Sequence, residues 1–358
     1  MSAGEVAVGY EQAHASGSDW LPMAMFDLPL DELREYRPEV AKPDDFVDFW
    51  RRSIEDARTH DLSATFTAVD NKLAVIDTYD VTFAGFGGTP IKGWLHVPAG
   101  TTGPLPTVVQ YFGYSGGRAF PHSNTLWAQA GYALFQMDNR GQGYDSGGPD
   151  ATPDNSAFAG RNHSPGFMTA GITDPETYYY RRVFVDAVRA LDAVRTSPLV
   201  DPDKIIVTGV SQGGGIAIAA AGLAGLAGIE LVGCAPDVPF LCHFQRGVQI
   251  TDEPPYAEIT EYLRGFRDHV ETAYRTLSYF DGVNLATLAT APALFSVALM
   301  DPNCPPSTVF AAYNAYAAVA KNINIYSHNE HEGGGAYQLD AQLDWFADLS
   351  TGAGATPR

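Results

Sequence analysis

The chain has 358 residues, 45% hydrophobic and 18% charged, enough apolar material for a sizeable core and too much for global disorder. The 42 Asp and Glu against 22 Lys and Arg give a net charge of −20, a field that repels nucleic acid and anionic membrane surfaces. Cys234, Cys242 and Cys304 are odd in number and lack CxxC spacing, which argues against a disulfide framework or a zinc site and suits a reducing cytoplasm.

Residues 1–22 are rich in Ala, Gly, Ser and Glu without a period and read as a dispensable extension outside the fold. Met1 to Trp20 has neither the basic start nor the apolar core of a signal peptide, and no run of about 18 apolar residues occurs, so no membrane span is expected. Helical patterns follow over Asp31–Tyr36 and Asp44–Ala57. Residues 73–98 alternate as strands do, with Gly87-Gly88 where a hairpin would turn.

From residue 105 short apolar runs alternate with helical periods. The expected strands are Thr107–Tyr111, Tyr132–Met137, Ile205–Thr208, Leu231–Cys234, Leu294–Ala298 and Ile323–Tyr326. A helix is predicted over Asp174–Val194, with Asp174 as N-cap, Pro175 in the first turn, and Val183, Ala187, Leu191 and Val194 on one face. Others are predicted from Ser307, after Pro305-Pro306, and over Gln338–Leu349. This rhythm implies an α/β fold: a mostly parallel sheet covered by helices on both faces, forming a single domain over 23–350. Two stretches interrupt it. Residues 143–173 read as a loop insertion, with Phe158 and Phe167 as candidate subunit anchors. Residues 239–290 read as a helical insertion, and 351–358 as a tail.

Gly209-Val210-Ser211-Gln212-Gly213 follows a predicted strand and precedes a small-residue helix, the context a nucleophile elbow requires in an α/β-hydrolase. The turn is tight enough to need glycine two residues either side of Ser211. Backbone N–H groups at the helix start can face a developing oxyanion. A serine elbow needs an acid and then a histidine downstream. Asp301 lies just past the strand ending at Ala298. His331 lies past the strand ending at Tyr326, on a loop loosened by Gly333, Gly334 and Gly335. His328 is nearer the strand end and reads as a surface residue, and His328 with His331 lacks a third metal ligand, so no metal or other cofactor is expected. The glycine-rich turn after the first parallel strand either serves tight turning alone or makes the Tyr114 N–H the candidate second oxyanion donor, and Arg140 and Gln142 read as structural. Other hydrolases, a peptidase or a xenobiotic esterase, would use the same elbow. A non-catalytic binding protein on this fold would usually have lost a triad member.

Arg140-Gly141-Gln142, Gly209-Val210-Ser211-Gln212-Gly213 and His331-Glu332, in that order, resemble the cephalosporin C deacetylase / acetyl xylan esterase family, carbohydrate esterase family 7. Longer stretches are also similar, among them Gly166-Phe167-Met168-Thr169, Pro239-Phe240-Leu241-Cys242-His243-Phe244 and Cys304-Pro305-Pro306-Ser307-Thr308; the likeness spans residues 23–348. The resemblance implies Ser211, Asp301 and His331 as triad, Tyr114 and Gln212 as oxyanion donors, and Phe240 lining the acyl pocket. It further implies a cytoplasmic, metal-free homo-hexamer that deacetylates acetylated xylo-oligosaccharides and cephalosporin C-like acetate esters. Asn303 stands where the family is more often apolar, beside the acyl pocket, so it is expected either to contact the acyl group or to bond its own backbone.

Overall fold

A computed structural model describes residues 25–146, 148, 152–154 and 166–351, so the expected extension 1–22, the tail beyond 351 and Phe158 lie outside the described residues. One nine-stranded sheet runs through them. An antiparallel wing of β1 (Thr65–Val69), β2 (Ile76–Ala84) and β3 (Pro90–Pro98) joins β5 (Ala133–Met137). From β5 onward every pairing is parallel, through β4 (Leu105–Tyr111), β6 (Val200–Val210), β7 (Gly233–Asp237), β8 (Ala293–Ala298) and β9 (Lys321–Tyr326). The hairpin at Gly87-Gly88 is present, both glycines having positive φ. β1 was not legible because its side chains are exposed or half-buried and carry no apolar stripe.

Every residue of β5, β7 and β8 is buried, as expected of strands covered on both faces. Period-2 geometry splits neighbouring residues between two cores. Val108, Leu134 and Ile206 face Trp127 of α3 (Leu126–Gln129) and Phe346 of α11 (Gly335–Thr351). Val109, Phe135 and Val207 face the larger core. That core is built with α2 (Phe46–Arg58), α4 (Tyr179–Val194), α5 (Gln212–Ala224) and α10 (Pro306–Ala315), and α1 (Leu30–Glu35) contributes Leu33 to it. The 239–290 stretch carries α6 (Phe244–Ile250), α7 (Tyr256–Gly265), α8 (Val270–Ser278) and α9 (Gly282–Ala286). No helix among the described residues is long and apolar enough to cross a membrane.

Two expectations need correction. α4 begins at Tyr179 rather than Asp174. Asp174 instead closes a turn, its side chain accepting from the Glu176 N–H at 3.0 Å. The helix entry is set by tertiary bonds: the Tyr179 N–H donates to the Ala170 carbonyl, and the Tyr178 hydroxyl to the Met168 carbonyl, both at 3.0 Å. Phe167 is no surface anchor. It is buried, with its ring centroid 5.6 Å from that of Tyr114 and 5.0 Å from that of Tyr179.

Candidate active site

β4 and β6 lie side by side and in parallel, with Tyr111 opposite Gly209. The chain leaves β4 towards β5 on one side, and from β6 it continues to the other. The strand order therefore reverses between β4 and β6, where open α/β sheets form their crevice. Tyr114 and Gln212 each stand three residues past that paired register, so their backbones emerge together above the sheet edge.

Ser211 joins β6 to α5 with φ 59° and ψ −121°, a left-handed-side conformation that an L-residue adopts only under constraint. The constraint is visible. The Ser211 N–H donates to the Asp237 carbonyl at 2.9 Å, and the Ser211 carbonyl accepts from Phe240 N–H at 2.9 Å and Gly215 N–H at 3.0 Å. A Cβ on Gly213 would sit 2.2 Å from the Tyr111 carbonyl oxygen, and one on Gly209 would sit 2.4 Å from the Gly213 carbonyl carbon. Both glycines are demanded by close backbone approach. Ser211 is 8% exposed, reachable but largely enclosed. The N–H of Gln212 opens α5, in the first turn, where no intrahelical acceptor exists.

Asp301 is fully buried beyond β8. Its Oδ1 accepts from the N–H groups of Asn303 at 2.8 Å and Cys304 at 2.9 Å; its Oδ2 lies 2.9 Å from His331 Nδ1. An aspartate carboxylate only accepts, so Nδ1 carries the proton and Nε2 is left as the base. The His331 loop is held to the end of β8 by the Met300 N–H, which donates to the Asn329 carbonyl at 3.2 Å. It then turns through Gly334, at φ +87°, where a Cβ would fall 2.2 Å from the Tyr326 ring. His328 is exposed and makes no such contact.

Cys304, to which the sequence alone assigns no role in the chemistry, lies with its Sγ 4.0 Å from Ser211 Oγ. Its thiol, with a carboxylate oxygen of Asp301 and a ring nitrogen of His331, falls in a cluster whose atoms are all within 4.8 Å of one another. That cluster ties the nucleophile's surroundings to the Asp–His pair. Burial, with the Asp301 charge beside it, pushes the Cys304 thiol well above its usual range, which disfavours the thiolate a metal would need. Its position three residues after the acid was the available signal.

Behind the site two glutamines form a reciprocal amide pair. Gln142 Nε2 donates to Gln212 Oε1 at 3.0 Å, and Gln212 Nε2 donates to Gln142 Oε1 at 3.1 Å. Gln142 Oε1 also accepts the Ser115 N–H at 2.9 Å, and Gln212 Nε2 donates to the Phe112 carbonyl at 3.2 Å. The loop carrying Tyr114 is thereby tied to the elbow. Arg140 is buried and bonds Asp186 through Nε at 2.6 Å and Nη2 at 2.7 Å. Phe240 is buried edge-on against Tyr256 at 4.5 Å. Asn303 Nδ2 donates to the Pro254 carbonyl at 2.9 Å, so its amide reaches the turn before α7 rather than its own backbone.

The chain as a whole is similar to known proteins in both sequence and fold. The acetyl esterase Axe7A of Xylanibacter ruminicola is 26% identical over 298 residues, covering 82% of this chain and 65% of that protein, so the match spans less than two thirds of the relative's length. The acetyl xylan esterase from Paenibacillus sp. R4 superposes with a TM-score of 0.81 at 41% identity, covering 89% of this chain and 99% of the other. Acetyl xylan esterase 1 from Thermoanaerobacterium sp. JW/SL YS485 gives 0.81 at 31% identity, covering 90% and 99%. The acetyl xylan esterase (AXE1) family pattern extends over residues 23–349, nearly all of the described fold, and the chain belongs to that family of carboxylic ester hydrolases with the α/β-hydrolase fold.

Proposed function

We propose that the protein is a serine acetylesterase that removes acetyl groups from acetylated xylo-oligosaccharides and from cephalosporin C-like acetate esters through an acetyl-Ser211 intermediate. The observation that carries this reading is the 2.9 Å His331–Asp301 bond, joined through Cys304 to a serine held in the strained elbow conformation, its Oγ 4.0 Å from the Cys304 thiol. Ser211 Oγ attacks the acetyl carbonyl while His331 Nε2 takes its proton, and Asp301 holds the tautomer and stabilises the imidazolium. The N–H groups of Tyr114 and Gln212 receive the tetrahedral oxyanion. His331 then protonates the leaving alkoxide, and water releases acetate by the same route in reverse. Phe240 and Asn303 bound the acyl side. Three buried free thiols suit a reducing compartment, and a homo-hexamer is the assembly expected from the family resemblance.

The test is hydrolysis of p-nitrophenyl acetate together with mass spectrometry of quenched enzyme. A gain of one acetyl group on the peptide carrying Ser211 supports the reading, and activity that survives Ser211→Ala sinks it. A panel of acetylated xylo-oligosaccharides, cephalosporin C and acyl-peptides then separates the esterase from a peptidase.

A further inference from the structure

Tyr114 enters the proposed mechanism only through its backbone, yet its side chain is one of the most heavily bonded groups near the site. Its hydroxyl donates to Glu258 Oε1 at 2.7 Å. The same oxygen accepts from the N–H groups of Phe167 at 3.0 Å and Gly166 at 3.3 Å. Glu258 Oε2 accepts the Met168 N–H at 3.2 Å. One phenol and one carboxylate thus join the loop after β4, the 166–168 turn and the first turn of α7. Glu258 sits where the helix dipole favours a carboxylate, and no ion pair to Lys or Arg holds it among the described residues. Burial raises its pKa, with the Tyr114 hydroxyl and the Met168 and Gly166 N–H groups opposing and the Glu261 charge adding to the rise. The same loop is also held by the Gln142–Gln212 pair and by Ser115, whose hydroxyl donates to Asp145 Oδ2 at 2.6 Å; the Tyr114 side chain adds the tie to α7.

We propose that Glu258 is a positioning residue for the oxyanion hole: by gripping the Tyr114 hydroxyl it holds the Tyr114 N–H on the reacting carbonyl oxygen, making ester hydrolysis depend on the seating of α7. The inference rests on the esterase reading above. A donor displaced by about 1 Å from a developing oxyanion loses most of its value, whereas ground-state binding scarcely notices. The effect belongs in kcat.

The experiment compares Glu258→Ala, Glu258→Gln, Tyr114→Phe and the Glu258→Ala/Tyr114→Phe double variant on p-nitrophenyl acetate, with thermal melting of each. Tyr114→Phe keeps the backbone N–H and deletes only the grip. Expected are roughly 10- to 100-fold losses in kcat for Glu258→Ala and Tyr114→Phe, with KM within about twofold. The double variant should be no worse than the poorer single. Glu258→Gln, which keeps an acceptor for the phenol, should lose less than Glu258→Ala. Affinity for a trifluoromethyl ketone, which forms a tetrahedral adduct on Ser211, should fall in parallel with kcat. Folded Tyr114→Phe and Glu258→Gln proteins with wild-type kcat and wild-type ketone affinity would overturn the proposal, even if the alanine variant failed to fold. Losses that multiply in the double variant would overturn it too. An inactive wild-type protein would instead fail the esterase reading and take this inference with it.

Discussion

At Asp301 the two oxygens of one carboxylate act separately, Oδ1 shaping the turn to Cys304 and Oδ2 orienting His331. Removing the nucleophile or the base should therefore abolish chemistry without unfolding the protein. Ser211→Ala or His331→Ala is expected to lower kcat by about 10⁴–10⁶, while His328→Ala stays near wild type. Inactive His328→Ala beside active His331→Ala would reverse the assignment. Asp237 presents a different case. Burial pushes its carboxyl up to about 7, against the opposing hydrogen bonds from Gln338, Gln342 and Ser296. The folded state thus prefers the protonated form. Its contribution to stability is full below the ordinary carboxyl value near 4 and is lost as pH rises towards 7. Replacement by Asn should flatten the fall in Tm between about pH 4 and pH 7; an unchanged slope would place the pH dependence elsewhere.

The elements that position the site are braced by polar groups buried between them. α4 sends the Tyr179 hydroxyl to the Arg140 carbonyl at 2.6 Å and the Tyr180 hydroxyl to Gln212 Oε1 at 2.8 Å, linking α4 to the elbow. The Gln142–Gln212 pair closes the link to the loop after β4. Gln142→Leu leaves the Ser115 N–H without its acceptor and strips the Gln212 amide to its bonds with the Tyr180 hydroxyl and the Phe112 carbonyl, loosening that loop, so kcat should fall roughly 10- to 100-fold with a smaller change in KM. Steady-state kinetics would check this, and a pure KM effect would count against it. Arg140 is a matter of stability instead. Arg140→Met leaves the buried Asp186 carboxylate without its cation and should cost about 3–5 kcal/mol by denaturant unfolding, because neither group reaches water.

Across the whole molecule, the candidate site lies where the parallel strands end and the sheet order reverses, and the 239–290 stretch meets the loop after β4 through the Tyr114–Glu258 bond. Assembly is a separate question. The hexamer expected from the family resemblance would give a mass near six times 38.5 kDa in light scattering, and a monomer at micromolar concentration would dismiss it. Phe167 is packed inside the subunit, so contacts from the 166–173 stretch would have to use other side chains.

Periodicity and order of motifs were enough to place all six parallel strands, the elbow and the three triad candidates. Buried strands read as apolar runs, and a tight strand–helix turn needs glycine wherever backbones meet within a Cβ's reach. The glycines after His331 and the nearness of His328 to the strand end set the two histidines apart, and the 2.9 Å bond to Asp301 favours His331. What the tertiary structure alone decided lay in long-range pairings that leave no local pattern. The start of α4 was set by Ala170 and Met168 carbonyls rather than by the Asp174 cap. Asn303 commits its amide to Pro254, distant in sequence. The Tyr114–Glu258 contact joins residues 144 positions apart. Local signals come from forces between near neighbours; these contacts are formed by segments that meet only when the sheet has assembled.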